Sequence, residues 1–507
     1  MKLPNAMIST AVAVLLVLGC AGGQPAQKAA PAPTAPASPP DAWREGQPAP
    51  LPGIPRFAAP VPAQRMLPNR LPVLLRENHA VPVVVVELVI KTGVDGDPPG
   101  KPGLADLVAA AMEEGTRSRT AEQLAEQLED LAAYLNVTPA LDGIRLHLNC
   151  LTDTLEPALD LLADVALNPA FRPADLERVR GLALTAIRQR QANPGALASD
   201  EVLRLLYGPK HPWGQPTGGT VESVRSIRRE DLVRFHDTYF RPNNALLSVS
   251  GDVEPDRIVG LLAHRFGAWR PRALPPSHLP PFPKEAARTV VVVDQPETTQ
   301  SQIAVASRTI SAIHPEALAL STANVALGGL FTSRLNMQLR EVRGWSYGIF
   351  SGVGFNKKTG TVQVRGSVKA QHTVDSVRDI EEVVQRFATG DITDAELTLA
   401  KEGIVRQLPS ALETNDAVAS TFVTLTQLGR PLDWYATLPD RLATLSREDV
   451  ARAAREYLDP AHWPVVVVGP RSDLEGLSAL KLGPVVDRTA EATGGSPRPA
   501  AGVPAAR

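Results

Sequence analysis

Only two cysteines, Cys20 and Cys150, occur in 507 residues, so no disulfide framework can brace this chain. Net charge is almost absent as well: 52 Lys and Arg against 54 Asp and Glu leave −2. Such a balance favours neither a nucleic acid nor an acidic polymer as a partner. Nine histidines are scattered so that no two lie within five positions of each other. No helix face therefore carries a histidine pair for a metal. No phosphate loop of the type G-x-x-x-x-G-K-[ST] and no nucleophile motif of the type G-x-S-x-G stands out. Long apolar runs are missing too, apart from one near the start. What is present is length, too much for a single core, which implies two or more domains.

The apolar run is Ala11-Val-Ala-Val-Leu-Leu-Val-Leu18, preceded by Lys2. It is too short for a stable membrane span and reads as the core of a secretory signal over residues 1–19. It ends in Val17-Leu-Gly-Cys20, which resembles a bacterial lipobox; Cys20 is then the lipidated residue and the mature N-terminus. From Cys20 to Pro62 the chain is rich in Pro and Ala without hydrophobic periodicity, as in Pro31-Ala-Pro-Thr-Ala-Pro36, and reads as a semi-extended tether. This predicts a lipid-anchored protein on the periplasmic face of the cell envelope, with Ala21 weakly favouring the outer membrane. Residues 486–507 repeat the Pro/Gly/Ala composition and are expected to be a disordered tail. Cys150 closes the strand-like run Ile144-Arg-Leu-His-Leu-Asn-Cys150 and reads as a buried small hydrophobe.

The region between tether and tail repeats itself. Arg229-Glu-Asp231 is followed by Tyr239, Pro242 and Gly251; Arg447-Glu-Asp449 is followed at the same spacings by Tyr457, Pro460 and Gly469. Agreement at six positions over one offset implies a duplicated unit of helix, proline turn and apolar strand. Strand-like runs (Val83–Ile90, Gly143–Asn149, Ser301–Ala306, Thr361–Lys369) mix with helical patterns in each half. The prediction is α+β, with two homologous domains, each a largely antiparallel sheet packed with helices. Their bounds are 63–270 and 285–475. Between them 271–284, beginning Pro271-Arg-Ala-Leu-Pro-Pro-Ser277, reads as a stiff proline-rich linker.

Two segments carry a resemblance to a known family. The first is Gly103-Leu-Ala-Asp-Leu-Val-Ala-Ala-Ala-Met-Glu-Glu-Gly-Thr116, whose frame resembles the zinc-site helix of the insulinase/pitrilysin metallopeptidases. That helix opens with Gly-Leu-Ala, carries H-x-x-E-H and closes with Gly-Thr. On this frame the first histidine falls on Asp106, the catalytic glutamate on Ala109 and the second histidine on Ala110. The third ligand of the family, a glutamate on a later helix, falls on Ala186, and a further acidic position on Val179. Catalytic zinc needs three protein ligands and an open position, and alanine offers no lone pair. The resemblance therefore implies a chain with no metal site and no catalytic residues of its own. His79 and His147 read as surface residues and His211 as structural.

The second segment, Leu327-Gly-Gly-Leu-Phe-Thr-Ser-Arg-Leu-Asn-Met-Gln-Leu-Arg-Glu-Val-Arg-Gly-Trp-Ser-Tyr347, closely resembles the C-terminal signature of the same family. There an arginine and a tyrosine seven residues later reach the active site on the facing domain and hold substrate; here they are Arg340 and Tyr347. A guanidinium can donate to a peptide carbonyl and a phenol to a developing oxyanion. On residue types alone the pair would simply meet Glu341 or backbone at a helix end. Arg343 and Trp345 read as structural, and Gly344 as the turn from helix to the strand Tyr347–Gly352, whose edge is a candidate for peptide uptake. The resemblance implies a non-catalytic subunit that pairs with a zinc-bearing homologue around a peptide-degrading chamber. Zinc is then expected in the partner, with peptides or unfolded polypeptides as substrate and the lipid anchor as the membrane contact. The competing expectation is a peptide-binding or scaffold lipoprotein with no part in proteolysis.

Overall fold

A computed structural model describes residues 57–488, except 278 and 285–287, together with the backbone of 498–499. The signal segment, Cys20 and the tether up to residue 56 lie outside the described residues. So does most of the tail. The strands form two sheets. The first contains β1 (Ala63–Met66), β2 (Pro72–Glu77), β3 (Val83–Ile90), β4 (Tyr134–Ala140), β5 (Gly143–Leu151) and β6 (Ala245–Gly251), in the order β1-β2-β6-β3-β5-β4. The second contains β7 (Val290–Asp294), β8 (Gln300–Thr309), β9 (Ser346–Phe355), β10 (Gly360–Lys369), β11 (Val465–Gly469), β12 (Val485–Arg488) and the two-residue β13 (Arg498–Pro499). Its order is β13-β12-β7-β11-β8-β10-β9.

The duplication read from the sequence is a duplication of topology. The run β2-β6-β3-β5-β4 corresponds to β7-β11-β8-β10-β9. In each, the first pair is parallel and the following pairs antiparallel. The repeated helices are Arg229–Tyr239 and Arg447–Tyr457, and each leads through a proline turn into the strand that makes the parallel pair, β6 or β11. The architecture is thus α+β with two like halves and largely antiparallel sheets.

The uninterrupted valine runs have a physical cause: side chains alternate across a strand, so a run that is apolar at every position needs cover on both faces. In the second sheet Val290, Val292, Val465 and Val467 face helices of their own half. Val291, Val293, Val466 and Val468 pack instead against Leu197, Val202 and Leu206 of the Pro194–Tyr207 helix, which belongs to the first half. The exchange is reciprocal. Leu74, Val89 and Leu246 of the first sheet pack against Val418, Phe422 and Val423 of the Asn415–Leu428 helix, from the second half. Each half lends a helix to its neighbour's outer sheet face, and polar contacts follow: Ser248 Oγ donates to Ala419 O at 2.9 Å, and Asn149 Nδ2 to Asp416 Oδ1 at 3.1 Å.

Three expected boundaries shift. The tether was expected to run free to Pro62, but Ala59 is buried and Phe57 partly buried against helices of the second half, because both find an apolar seat beside Leu412 and Val418. The second half does not end at 475, and residues 486–488 are not tail: β12 adds a parallel strand to β7, with Val486 opposite Val291. The proline-rich linker is anchored by Phe282, whose ring lies 5.2–5.6 Å from those of Tyr207, His211 and Trp213.

Candidate functional site

The helix that bears the family's zinc motif is present as Leu104–Met112. Gly103 starts it in the left-handed region at φ +90°, and Asp97 caps it, accepting from Gly103 N and Ala105 N at 2.8 Å each. Burial dominates at Asp97 and pushes its carboxyl up to about 7, against the lowering effect of those donors. The helix packs on Pro173–Gln191, with Glu114 ion-paired to Arg178. Of the zinc-frame positions, Ala109 is fully buried, Ala110 half-buried and Ala186 exposed, while Val179 lies in the core. Asp106 alone keeps an oxygen donor, and burial raises its pKa without a hydrogen bond or cation to oppose the shift. Among the described residues no three His, Cys, Asp or Glu donors converge at this helix. The residues present do not fit a catalytic zinc ion, which requires three ligands.

In the second half the signature segment is built around two π-helical stretches, Val325–Gly329 and Met337–Val342, flanking a short helical turn at Arg334–Asn336. Such stretches recur at functional sites because they re-aim side chains. Leu335 and Leu339 are buried, as their spacing predicted, and Gly344 leaves the helix at φ +65°. Its three arginines from Arg334 onward are used differently. Arg334 is bound by Glu396 at 2.5 and 2.7 Å, and this pairing together with hydrogen bonds from Thr393 holds the Glu396 carboxyl at about 2. Arg343 donates to Asp379 at 2.8 and 3.3 Å and lies over Trp345, which stacks on His372. Both are structural.

Arg340 is held without being consumed. Its guanidinium sits 3.9 Å above the Phe331 ring, its Nε lies 3.7 Å from Glu341, and its Nη1 is buried with no acceptor. Tyr347 is 89% exposed, and its hydroxyl makes no hydrogen bond among the described residues. Phe331, Met337, Val342, Tyr347 and Phe350 are five of the fourteen exposed large apolar side chains among the described residues. That concentration within twenty positions marks the segment as a contact surface.

The sheet edges correct one expectation. Strand addition needs free backbone groups along an edge. β9 is an edge strand, but its outer side is taken: Asn336 Oδ1 accepts from Ile349 N at 3.0 Å, and Asn324 Nδ2 donates to Ser351 O at 3.2 Å. The edge at Tyr347–Gly352 is therefore not open to a peptide strand. On β4, Glu113 Oε1 accepts from Val137 N at 2.8 Å. Outward N–H groups recur every second residue, and the next such position is Pro139, which has none. The β4 edge is thus blunted at Val137 and Pro139.

The expectation that no G-x-S-x-G motif stands out needs correcting, because the pentapeptide Gly344-Trp-Ser-Tyr-Gly348 spells it. It turns from helix to strand, the reverse of a nucleophile elbow. Ser346 Oγ donates to Ser367 O at 2.6 Å and accepts from Gly348 N at 2.9 Å, so the match is structural. His211 is buried and accepts from Trp213 N at 3.0 Å, also as a structural residue. His147 departs from its surface reading: it is partly buried between the halves, with Nε2 3.2 Å from Asp416. Cys150 is buried, with its thiol pushed up to about 12 by burial.

These observations meet in one family. Residues 72–219 match the insulinase (peptidase family M16) domain, and residues 226–404 match the peptidase M16 inactive domain. The chain belongs to the M16 insulinase family. An uncharacterized zinc protease of Mycobacterium leprae (strain TN) is 28% identical over 355 residues, covering 69% of this chain and 79% of that protein. A non-peptidase homolog of Helicobacter pylori (strain ATCC 700392 / 26695) is 24% identical over 382 residues, 75% of this chain and 88% of its own length. Among solved structures, a peptidase M16 inactive domain from Pseudomonas fluorescens superposes with a TM-score of 0.75 at 24% identity, over 81% of this chain and 98% of that one. A protease from Helicobacter pylori gives 0.74 at 21% identity, over 81% and 100%.

Proposed function

We propose that this chain is a non-catalytic M16-family subunit that closes a peptide-degrading chamber against a zinc-bearing homologue in the cell envelope, contributing Arg340 and Tyr347 to the substrate. The observation that carries the proposal is the contrast among the arginines of one segment. Arg334 and Arg343 are saturated by carboxylates, whereas Arg340 is positioned over Phe331 with a buried nitrogen that lacks an acceptor. A buried unpaired donor is costly, so a rotation of the guanidinium that presents it to a peptide carbonyl or carboxylate would relieve that cost. The zinc frame supports the same division of labour, since Ala109, Ala110 and Ala186 leave the metal to the partner. Cys20, as the lipidated residue, would tether the assembly at the membrane.

The test is co-expression with an envelope homologue that carries an intact H-x-x-E-H. The two should co-purify, and Arg340→Ala should leave assembly intact while lowering kcat/KM on a peptide by about 10- to 100-fold, the loss of one charge-assisted hydrogen bond of about 1.5–3 kcal/mol. Assembly with no proteolysis in any combination would favour the scaffold reading.

A further inference from the structure

A second constellation lies away from the zinc-frame helix and shares no residue with it. The parallel pairing of β2 and β6 sets Glu77 opposite Gly251, which brings together two strand ends far apart in the chain. His79 follows the first end, and Asp252 and Glu254 follow the second. His79 Nδ1 lies 2.5 Å from Asp252 Oδ1, and Asp252 Oδ2 accepts from Thr152 Oγ1 at 2.9 Å. His79 Nε2 lies 2.6 Å from Glu77 Oε1. One ligand atom each from Glu77, His79 and Glu254 falls within 4.8 Å of the others.

Neutral imidazole has a single N–H. With a carboxylate against each ring nitrogen, one nitrogen must bear an additional cation, either a proton or a metal ion. The second carboxylate also has a role of its own. Asp252, fixed by Thr152, holds Nδ1–H and so sets the ring orientation and the tautomer with Nε2 free. A carboxylate behind a histidine is the arrangement that supports a metal-bound imidazole. We propose that Glu77, His79 and Glu254 bind a divalent transition-metal ion, with Asp252 as the positioning residue behind His79. The donor set fits: one borderline nitrogen and two hard oxygens suit zinc or manganese, and three protein ligands leave a position for water. Ligand bonds of about 2.0–2.2 Å would place the donor atoms about 3.3 Å apart, so His79 Nε2 and Glu77 Oε1, now 2.6 Å apart, must separate slightly, while separations as wide as 4.8 Å close by about 1.5 Å. Glu254 is exposed and stands at the N-cap of the Pro255–Phe266 helix with no side-chain capping hydrogen bond, so its side chain can make that movement.

Occupancy has a structural consequence. In the same loop Asn78 Nδ2 donates to Asn415 Oδ1 at 2.9 Å, at the start of the helix that the second half lays across the first sheet. A metal at His79 would clasp the ends of β2 and β6 beside that crossing and stiffen the junction of the halves.

The experiment is Zn²⁺ titration of the full chain by isothermal calorimetry, after chelation and without a histidine tag, with Mg²⁺ in parallel. One zinc site per chain is expected, together with a rise in Tm on loading and much weaker Mg²⁺ binding. His79→Ala should abolish the site, Glu254→Gln should weaken it, and Asp252→Asn should lower affinity by 10- to 100-fold. Circular dichroism confirms that each surface variant is folded. Absence of stoichiometric zinc, binding unchanged in His79→Ala, no effect of Asp252→Asn, or equal affinity for Mg²⁺ would each overturn the proposal.

Discussion

Phe422 is the most direct handle on how the two halves are joined. It is 1% exposed on a helix of the second half, yet its apolar neighbours Leu74, Val89 and Leu246 belong to the first sheet. Phe422→Ala removes a buried ring from a seam whose other wall is a β-sheet, which cannot close the gap by repacking a loop. Large-to-small changes of this kind cost about 3–5 kcal/mol, and the sheet wall puts the expectation at the upper part of that range. The consequence should spread. Because the Pro194–Tyr207 helix binds the halves in the opposite direction, loosening one crossing should weaken both sheets together. Hydrogen exchange read by mass spectrometry should show faster exchange in β3 and in β10, alongside a lower urea midpoint. Loss of protection in β3 with β10 unchanged, or a cost under about 1 kcal/mol, would refute the reciprocal exchange as the device that unites the halves.

Two further outcomes follow from local structure. Asp97 has a folded pKa of about 7 against an ordinary 3.8, so folding takes up a proton between those values; its contribution to stability is full below 3.8 and lost as pH rises through 7. Two pH units of that window correspond to about 2.7 kcal/mol. Asp97→Asn should erase this slope, losing to wild type at pH 5 and recovering against it by pH 8 in urea unfolding; a difference independent of pH would contradict the assignment. Gly344 has φ +65° and open space where a Cβ would sit. Gly344→Ala should therefore cost only the strain of the left-handed region, about 1–2 kcal/mol, without disturbing Arg343–Asp379; a larger loss in thermal unfolding would point to a clash that the geometry lacks.

Much of this was legible in the chain. The six matched positions from Arg229 to Gly251 and from Arg447 to Gly469 locate helices and strands that the structure places in equivalent topological slots. Valine runs are strands covered on both faces, and Leu335 and Leu339 point inward as helical spacing requires. What periodicity does not encode is which partner covers a face. The Asn415–Leu428 helix looks amphipathic, but nothing in it says that it crosses to the other half's sheet. Closure of the β9 edge depends on Asn324 and Asn336, whose role exists only once a π-helical stretch has aimed them. The His79 cluster is invisible for the same reason: Glu77 and Glu254 become neighbours only through the parallel pairing of β2 and β6. Arg340 and Arg343 were separated in the sequence by a motif alone, and Asp379 supplies the physical distinction.

The proposed division of labour gives catalysis to a partner and substrate contact to Arg340 of this chain. The decisive assay is cleavage of a quenched peptide by this chain alone, with and without added zinc, and by its mixture with an H-x-x-E-H-bearing envelope homologue. No cleavage is expected from this chain under either condition, with turnover by the mixture and loss of that turnover in Arg340→Ala with assembly preserved. Cleavage by this chain alone, or a mixture indifferent to Arg340→Ala, would contradict that division of labour.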